Sequence, residues 1–184
     1  MMKPNWFVAL PVRESEELIS MLARTAPPAI RLFDPADTHL TIAFMGSMPK
    51  ENIPDVLEVM QKIDFEPFKI SLAALVPLPS AKHPTAFSYT LQQGHAEVVQ
   101  LIENWRDALL KAGGAPEAKR PALPHLTIGR PLRQWGKRAQ LEGIRWANAL
   151  TTPQFETYVD SIALYTWADD RRSRQFKIVE ERLM

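Results

Sequence analysis

The sequence predicts an α+β fold made of two similar lobes. The first observation is an alternation of strand-like and helix-like segments that runs twice along the chain. The second is a repeated segment, His39-Leu40-Thr41-Ile42 in the first half and His125-Leu126-Thr127-Ile128 in the second. The second copy follows the first by about half of the 184 residues, which suits one copy in each lobe. We therefore expect residues 1–184 to form a single domain of two lobes.

Composition restricts the kinds of protein that fit. The chain is 46% hydrophobic and 23% charged with a net charge of +1, which is enough apolar material for a sizeable core. The near-balanced charge is unlike that of a protein that coats nucleic acid, so any RNA contact is expected to be local, at an end or a loop. The sequence has no cysteine, which excludes disulfides, thiolate nucleophiles and zinc–thiolate sites.

The only early apolar stretch, Trp6 to Leu10, stops at Pro11 and is too short for a secretory signal or a membrane span. No other span is found in the sequence. We expect a soluble cytoplasmic protein without a membrane partner, acting as a monomer.

The elements of the first half follow from periodicity and from breaking residues. Trp6 to Leu10 is typical of a buried strand. Helical spacing of apolar residues predicts a helix from about Ser15, as its cap, to Ala26. The first repeated segment predicts a strand over 38–45, closed by Gly46, and a second helix is expected over 51–63.

The second half begins with a strand-rich region. Strands are expected over 65–78 and 86–91, then a helix over 96–111 that Gly113-Gly114 ends. The second repeated segment is the next strand. The remaining segments are a short basic stretch, a strand near 154–167 and a last strand near 174–180.

The repeated segments carry the candidate chemistry. Because side chains alternate along a strand, each His and the Thr two residues later face the same way, with Cα atoms roughly 6.5–7 Å apart. Strands that met across a cleft would present two imidazoles and two hydroxyls to one small volume. Histidine, with an ordinary pKa of about 6.5, suits both the acid and the base of a phosphoryl reaction.

On these residues the chain resembles the two-histidine phosphoesterase superfamily, and most closely its RNA 2′,3′-cyclic phosphodiesterase branch, historically called 2′-5′ RNA ligases. The matching residues are His39-Leu40-Thr41 with Phe44 and Gly46, Arg120-Pro121, Pro124 to Thr127 with Arg130, Phe7 to Pro11, and Leu164-Tyr165. Two positions depart from the pattern: Asn5 stands where an arginine is common, and residues 167–172 lack the usual Ser and Gly.

The resemblance implies a bilobed fold in which antiparallel sheets with outer helices surround a central cleft. It implies that His39 protonates the leaving 3′ oxygen and that His125 activates water, giving a 2′-phosphate end. The sequence by itself leaves open which histidine is acid and which is base. Thr41 and Thr127 are expected to donate hydrogen bonds to the phosphate, without a metal or other cofactor. Weak 2′-5′ RNA ligation by the reverse reaction is a further expectation.

Phe44 and Arg130 each follow their histidine by five residues. In a regular strand this odd offset points to the opposite face, so each strand either bends there or sends the side chain away from the cleft. The resemblance favours a bend and a phosphate contact for Arg130. Phe44 could line the nucleoside pocket, but a position in the core is the preferred interpretation.

Other functions and residues stay open. Related enzymes act on 2′,5′-oligoadenylate or on a cyclic phosphate of ADP-ribose, and a third hypothesis is an RNA-end binder without catalysis. Trp135 and Trp167 are candidates for base stacking. The basic residues that either border an RNA-binding mouth or form solvated turns are Lys119, Arg120, Arg171, Arg172 and Arg174.

Overall fold

A computed structural model describes residues 3–184, which contain nine strands and four α-helices. The strands are β1 (Asn5–Pro11), β2 (Ile30–Leu32), β3 (His39–Ser47), β4 (Phe68–Leu78), β5 (Ala86–Gln93), β6 (His125–Pro131), β7 (Glu156–Val159), β8 (Ser161–Trp167) and β9 (Phe176–Leu183). The helices are α1 (Glu16–Ala23), α2 (Ile53–Gln61), α3 (His95–Ala112) and α4 (Gly136–Ala149). The predicted α+β class is confirmed.

The strands form one antiparallel sheet whose two halves meet at the strands that carry the repeated segments. Its order is β7-β4-β5-β6-β3-β1-β8-β9, and β2 pairs with the last residues of β6. Each half has four strands, with β6 or β3 innermost. The join is a single pair, Leu40 opposite Leu126. The two lobes are therefore halves of one continuous sheet.

Both faces of the sheet are apolar near β1, which explains why that strand is a continuous hydrophobic run. Trp6, Val8 and Leu10 face the main core, where the helices pack. Phe7 and Ala9 face the other way, into a second and smaller buried cluster. Alternation along the strand thus supplies both layers.

The helices cover the main-core face and tie the two halves together. Helix α3 follows β5 in one half but packs mainly against β3 of the other, and α4 packs against β4 and β6. The end of α3 lies close to the sheet, since a Cβ at Gly113 would come within 2.5 Å of Met45. A side chain at that position would push the helix away from β3.

Two local expectations were wrong, each because a long-range contact prevails. Ser15 does not cap α1 with its side chain; its hydroxyl instead contacts Thr38 Oγ1 at 2.8 Å. Helix α4 lies in the basic stretch that follows β6. The strand expected near 154–167 is interrupted at Asp160, and its two parts lie in different halves, β7 beside β4 and β8 beside β1.

No helix within residues 3–184 combines the length and apolar character that crossing a bilayer requires.

Candidate active site

The pairing of β3 with β6 brings the two repeated segments together. Leu40 lies opposite Leu126, and both side chains point into the main core. In this antiparallel arrangement His39 and Thr41 flank the pair on β3, and Thr127 and His125 flank it on β6. All four side chains share the face turned away from the helices. The structure thus gathers the predicted residues.

Both imidazoles are held in the same way. Nδ1 of His39 lies 2.6 Å from the carbonyl oxygen of Asp37, and Nδ1 of His125 lies 2.7 Å from that of Leu123. A carbonyl only accepts hydrogen bonds, so each Nδ1 carries the proton and donates it. In the neutral ring Nε2 is then free to accept a proton, and in the charged ring it can donate one.

A bulge in β3 explains the place of Phe44. Val8 pairs with Ala43 and Ala9 with Thr41, so one residue of β3, Ile42, has no counterpart in β1. The extra residue reverses the alternation of side chains beyond it. Phe44 therefore returns to the face that carries His39, despite the odd offset.

A bulge at the equivalent residue of β6 does the same for Arg130. Ser88 pairs with Thr127 and Phe87 with Gly129, which leaves Ile128 as the extra residue. Beyond it, Arg130 lies on the face of His125 and Thr127, and its guanidinium carbon is 5.6 Å from the centre of the Phe33 ring. The alternative in which Arg130 faces away is wrong.

Aromatic rings surround His39. Ring centres of Phe7, Tyr165 and Phe176 lie 4.7, 5.3 and 5.5 Å from its imidazole. The pKa of His39 is lowered to about 4, chiefly by this burial and also by electrostatic repulsion from His125 and Arg130, while the hydrogen bond to the Asp37 carbonyl acts in the opposite direction. His39 is therefore neutral at pH 7 in the unliganded protein.

The two threonines have different surroundings. The Thr127 hydroxyl lies 2.9 Å from that of Ser88, a buried residue of β5. Either oxygen can donate, so Ser88 can orient the Thr127 hydroxyl towards the space between the histidines. Thr41 is half-buried beside Ala9.

Asp37 is a buried acidic residue beside the candidate site that sequence reasoning did not single out. Its carboxylate is fully buried and accepts hydrogen bonds from the backbone N–H groups of Gln175 and Phe176, with Arg174 Nε 3.8 Å away. Burial raises the pKa of Asp37, and these three contacts oppose that change. Asp37 thus connects the strand of His39 to the β8–β9 loop, residues 168–175.

Phe44 does not belong to the core, so the preferred interpretation was wrong. Its side chain is 55% exposed, and its ring centre lies 6.3 Å from that of Phe7, at an angle of 25°. Phe7 in turn contacts His39, which places Phe44 beside the candidate site.

The basic residues divide into two groups. Arg171 lies near the site, and its guanidinium stacks 4.2 Å above the Trp167 ring. Lys119 and Arg120 are exposed in the loop before β6. Arg106 donates a hydrogen bond to the main-chain carbonyl oxygen of Arg120, not to its side chain. Trp135 carries a similar stack with Arg138, 4.9 Å away.

Sequence reasoning missed the side chains that shape the environment of His39. They are Phe7, Phe33, Asp37, Tyr165 and Phe176. One signal was present: a strand that is apolar at every position, as over 6–10, requires a packing layer on each face. Within residues 3–184 no group of three or more His, Cys, Asp or Glu side chains is placed to hold a metal ion.

Comparison with known sequences gives consistent relatives. A family model described as the 2′-5′ RNA ligase superfamily matches residues 10–171. A Geobacillus stearothermophilus protein named RNA 2′,3′-cyclic phosphodiesterase is 29% identical over 83% of this chain, but the match covers only 49% of that protein. An Archaeoglobus fulgidus protein of the same name is 26% identical over 70% of this chain and 73% of its own length.

Solved structures share the fold. E. coli LigT complexed with NADP+ is 21% identical, with a TM-score of 0.72 over 100% of this chain and 99% of its own. A structure described as a phosphoesterase is 20% identical, with a TM-score of 0.75 over 99% and 98% of the two chains. These likenesses concern the fold. The family model spans most of the sequence, including both repeated segments, and on that match the chain belongs to the 2′-5′ RNA ligase superfamily.

Proposed function

We propose that the protein hydrolyses RNA-terminal or nucleoside 2′,3′-cyclic phosphates to 2′-phosphates, with His39 and His125 as the acid–base pair. The observation that carries this proposal is the matched geometry of the two imidazoles, on one face of paired strands, each with Nδ1 bound to the carbonyl two residues earlier. The relatives named RNA 2′,3′-cyclic phosphodiesterase support the same substrate class.

The reaction adds one water across the bond between phosphorus and the 3′ oxygen. Nε2 of one histidine takes a proton from water as the water oxygen bonds to phosphorus. Nε2 of the other gives a proton to the 3′ oxygen as its bond to phosphorus breaks. The pair ends with its protons exchanged and is reset through solvent. Two such transfers together contribute about 10⁴-fold or more to the rate.

We assign the acid to His39 and the base to His125. The lowered pKa of His39 makes it a strong proton donor once it is charged. A phosphate anion seated between the histidines would raise that pKa, because a nearby negative charge favours the protonated ring. Binding of substrate and charging of His39 are thus coupled.

We propose that Thr41, Thr127 and Arg130 bind the non-bridging oxygens, where negative charge accumulates. Phe44, exposed beside the site, is proposed to line the nucleoside pocket. With a 5′-hydroxyl in place of water, the 5′ oxygen would bond to phosphorus as the bond to the 3′ oxygen breaks, which forms a 2′,5′ linkage and predicts weak ligation. Since one chain supplies all of these residues, we propose a monomer; a cytoplasmic location stays a prediction.

The test is hydrolysis of 2′,3′-cyclic AMP in the presence of a chelator, with the phosphate isomer identified by chromatography. We expect 2′-AMP, a bell-shaped pH–rate profile, and a loss of roughly 10²- to 10⁴-fold in kcat for His39→Gln and for His125→Gln. His83→Gln, in the exposed loop between β4 and β5, is the control and should keep full activity.

A 3′-AMP product would contradict the assignment of the leaving oxygen, and a requirement for metal would contradict the mechanism. Binding of the nucleotide without turnover would favour the RNA-end binder. A panel with a 2′,5′-linked dinucleotide and with ADP-ribose cyclic phosphate tests the related activities.

A further inference from the structure

We propose that β2 and the β8–β9 loop form a second phosphate subsite beside the catalytic pair. It would bind the phosphate on the 5′ oxygen of the terminal nucleoside, which in RNA is the linkage to the preceding nucleotide. This inference rests on the proposed function and specifies its substrate: an RNA end would be preferred over a lone cyclic nucleotide.

The first support is the position of two arginines on neighbouring strands. Arg31 of β2 is the register partner of Arg130 of β6, so their side chains lie on the same face of the sheet. That face carries the two histidines. Like charges directly opposite each other are unfavourable unless an anion lies between them.

The second support is the way the β8–β9 loop is held. Nη2 of Arg31 donates to the carbonyl oxygens of Arg171 at 2.8 Å and of Arg172 at 3.0 Å. At its other end the loop is fixed to the carboxylate of Asp37. The loop is thereby held against two residues that come shortly before β3 in the chain, Arg31 and Asp37.

The third support is the preorganised side chain of Arg171. Its guanidinium stacks on Trp167, and its Nη2 donates to Gln175 Oε1 at 3.0 Å. Its Nε is buried without a hydrogen-bond partner in the part of the chain that the structure describes. An arginine held in this way loses little conformational entropy when it binds an anion.

The arginines of this face also repel one another. Burial and then the positive charge of Arg171 lower the pKa of Arg130, while burial and then the positive charge of Arg31 lower the pKa of Arg171, where Asp37 acts in the opposite direction. An anion bound beside Arg31 and Arg171 would relieve this repulsion.

No carboxylate in the described part of the chain forms an ion pair with Arg31, Arg130 or Arg171. Among residues 3–184 no carboxylate oxygen lies within 4.0 Å of the basic nitrogens of Arg31, Arg130 or Arg171. The nearby carboxylate of Asp37 is already engaged by two N–H groups and Arg174. A phosphate is the complement that this face lacks.

The experiment compares three substrates that share the terminal 2′,3′-cyclic phosphate of adenosine. The first has a free 5′-hydroxyl, the second a 5′-phosphate, and the third is the dinucleotide with a phosphodiester at that position. We expect kcat/KM for the second and third to exceed that for the first by roughly 10- to 100-fold, as for one or two charge-assisted hydrogen bonds.

Arg171→Gln should remove most of that preference, and Arg171→Lys should restore part of it. Arg172→Gln is the matched control, because it removes the same charge from the same loop, where the Arg172 side chain is exposed. Thermal unfolding of each variant checks that the loop change leaves the fold intact.

Equal kcat/KM for the three substrates would overturn the subsite and leave the proposed function standing. A preference for the dinucleotide alone that survives Arg171→Gln would also overturn it, since that pattern indicates recognition of the second base. Failure to cleave any of the three would overturn the proposed function and this subsite together.

Discussion

His39 and His125 have the same local motif but different environments. Both donate Nδ1–H to the carbonyl two residues earlier, which follows from the local chain. Only His39 is enclosed by aromatic rings, and those come from β1, β8 and β9, far away in the sequence. Tertiary packing thus lowers the pKa of His39, an effect that the motif alone does not specify.

The lowered pKa of His39 predicts a pH-dependent stability. The folded pKa, about 4, lies below the ordinary value of 6.5, so between these pH values the unfolded chain binds more protons. Stability should therefore rise with pH across this window and fall as pH drops through it. His39→Gln should reduce the difference in free energy of unfolding between about pH 5 and about pH 7.5 by about 1–2 kcal/mol, measured with urea.

His83→Gln is the control for this measurement, because His83 is exposed in a loop. This variant should keep the difference in free energy of unfolding between about pH 5 and about pH 7.5 that the unsubstituted protein shows. An unchanged pH dependence in His39→Gln would show that the ring is more hydrated than its packing indicates.

At the scale of elements, two bulges and one loop assemble the site. The bulges at Ile42 and Ile128 turn Phe44 and Arg130 to the face of the histidines. Their equivalent positions in β3 and β6 show that the repeat extends to backbone geometry. The β8–β9 loop then reaches the first repeated segment through Asp37.

Asp37→Ala should show how strongly that loop contact stabilises the site. The change leaves two buried N–H groups without an acceptor and should cost about 3 kcal/mol of folding stability. It should also lower kcat for 2′,3′-cyclic AMP, since without the buried carboxylate contacts the segment whose Asp37 main-chain carbonyl orients His39 is less firmly held. Urea unfolding and initial rates measure the two effects.

Asp169→Asn is the matched control, because it removes an ion pair with Lys177 from the same loop, where the Asp169 side chain is 88% exposed. An exposed pair of this kind contributes about 0–1 kcal/mol. Equal losses of folding stability and of kcat in Asp37→Ala and Asp169→Asn would contradict the role given to Asp37.

For the whole molecule, the C-terminal strands complete the N-terminal half. Strand β8 pairs with β1, while β7, directly before it, pairs with β4 in the other half. The chain therefore passes from one half to the other at Asp160, and neither half is a continuous segment of sequence. This arrangement makes independent folding of the halves unfavourable, since each would leave strand edges unpaired.

We predict a single cooperative unfolding transition, as expected for one domain over residues 1–184. Tryptophan fluorescence and far-UV circular dichroism should give coincident urea curves, with buried Trp6 in one half and buried Trp146 in the other. Leu126→Ala, at the join between the halves, should cost about 2–5 kcal/mol and keep one transition. Two separate transitions would show that the lobes are independent domains.

Periodicity and a repeated motif are local, so the amino-acid sequence was sufficient to predict the class of fold, most strands and helices, and the four residues that the structure brings together at the candidate site. The environment of that motif depends on tertiary contacts. The tertiary structure placed Phe44 outside the core, turned Arg130 to the site through a bulge and used Ser15 in a contact with Thr38. Bulges, strand partners and buried carboxylate contacts depend on residues that are distant in the chain, so no local pattern specifies them.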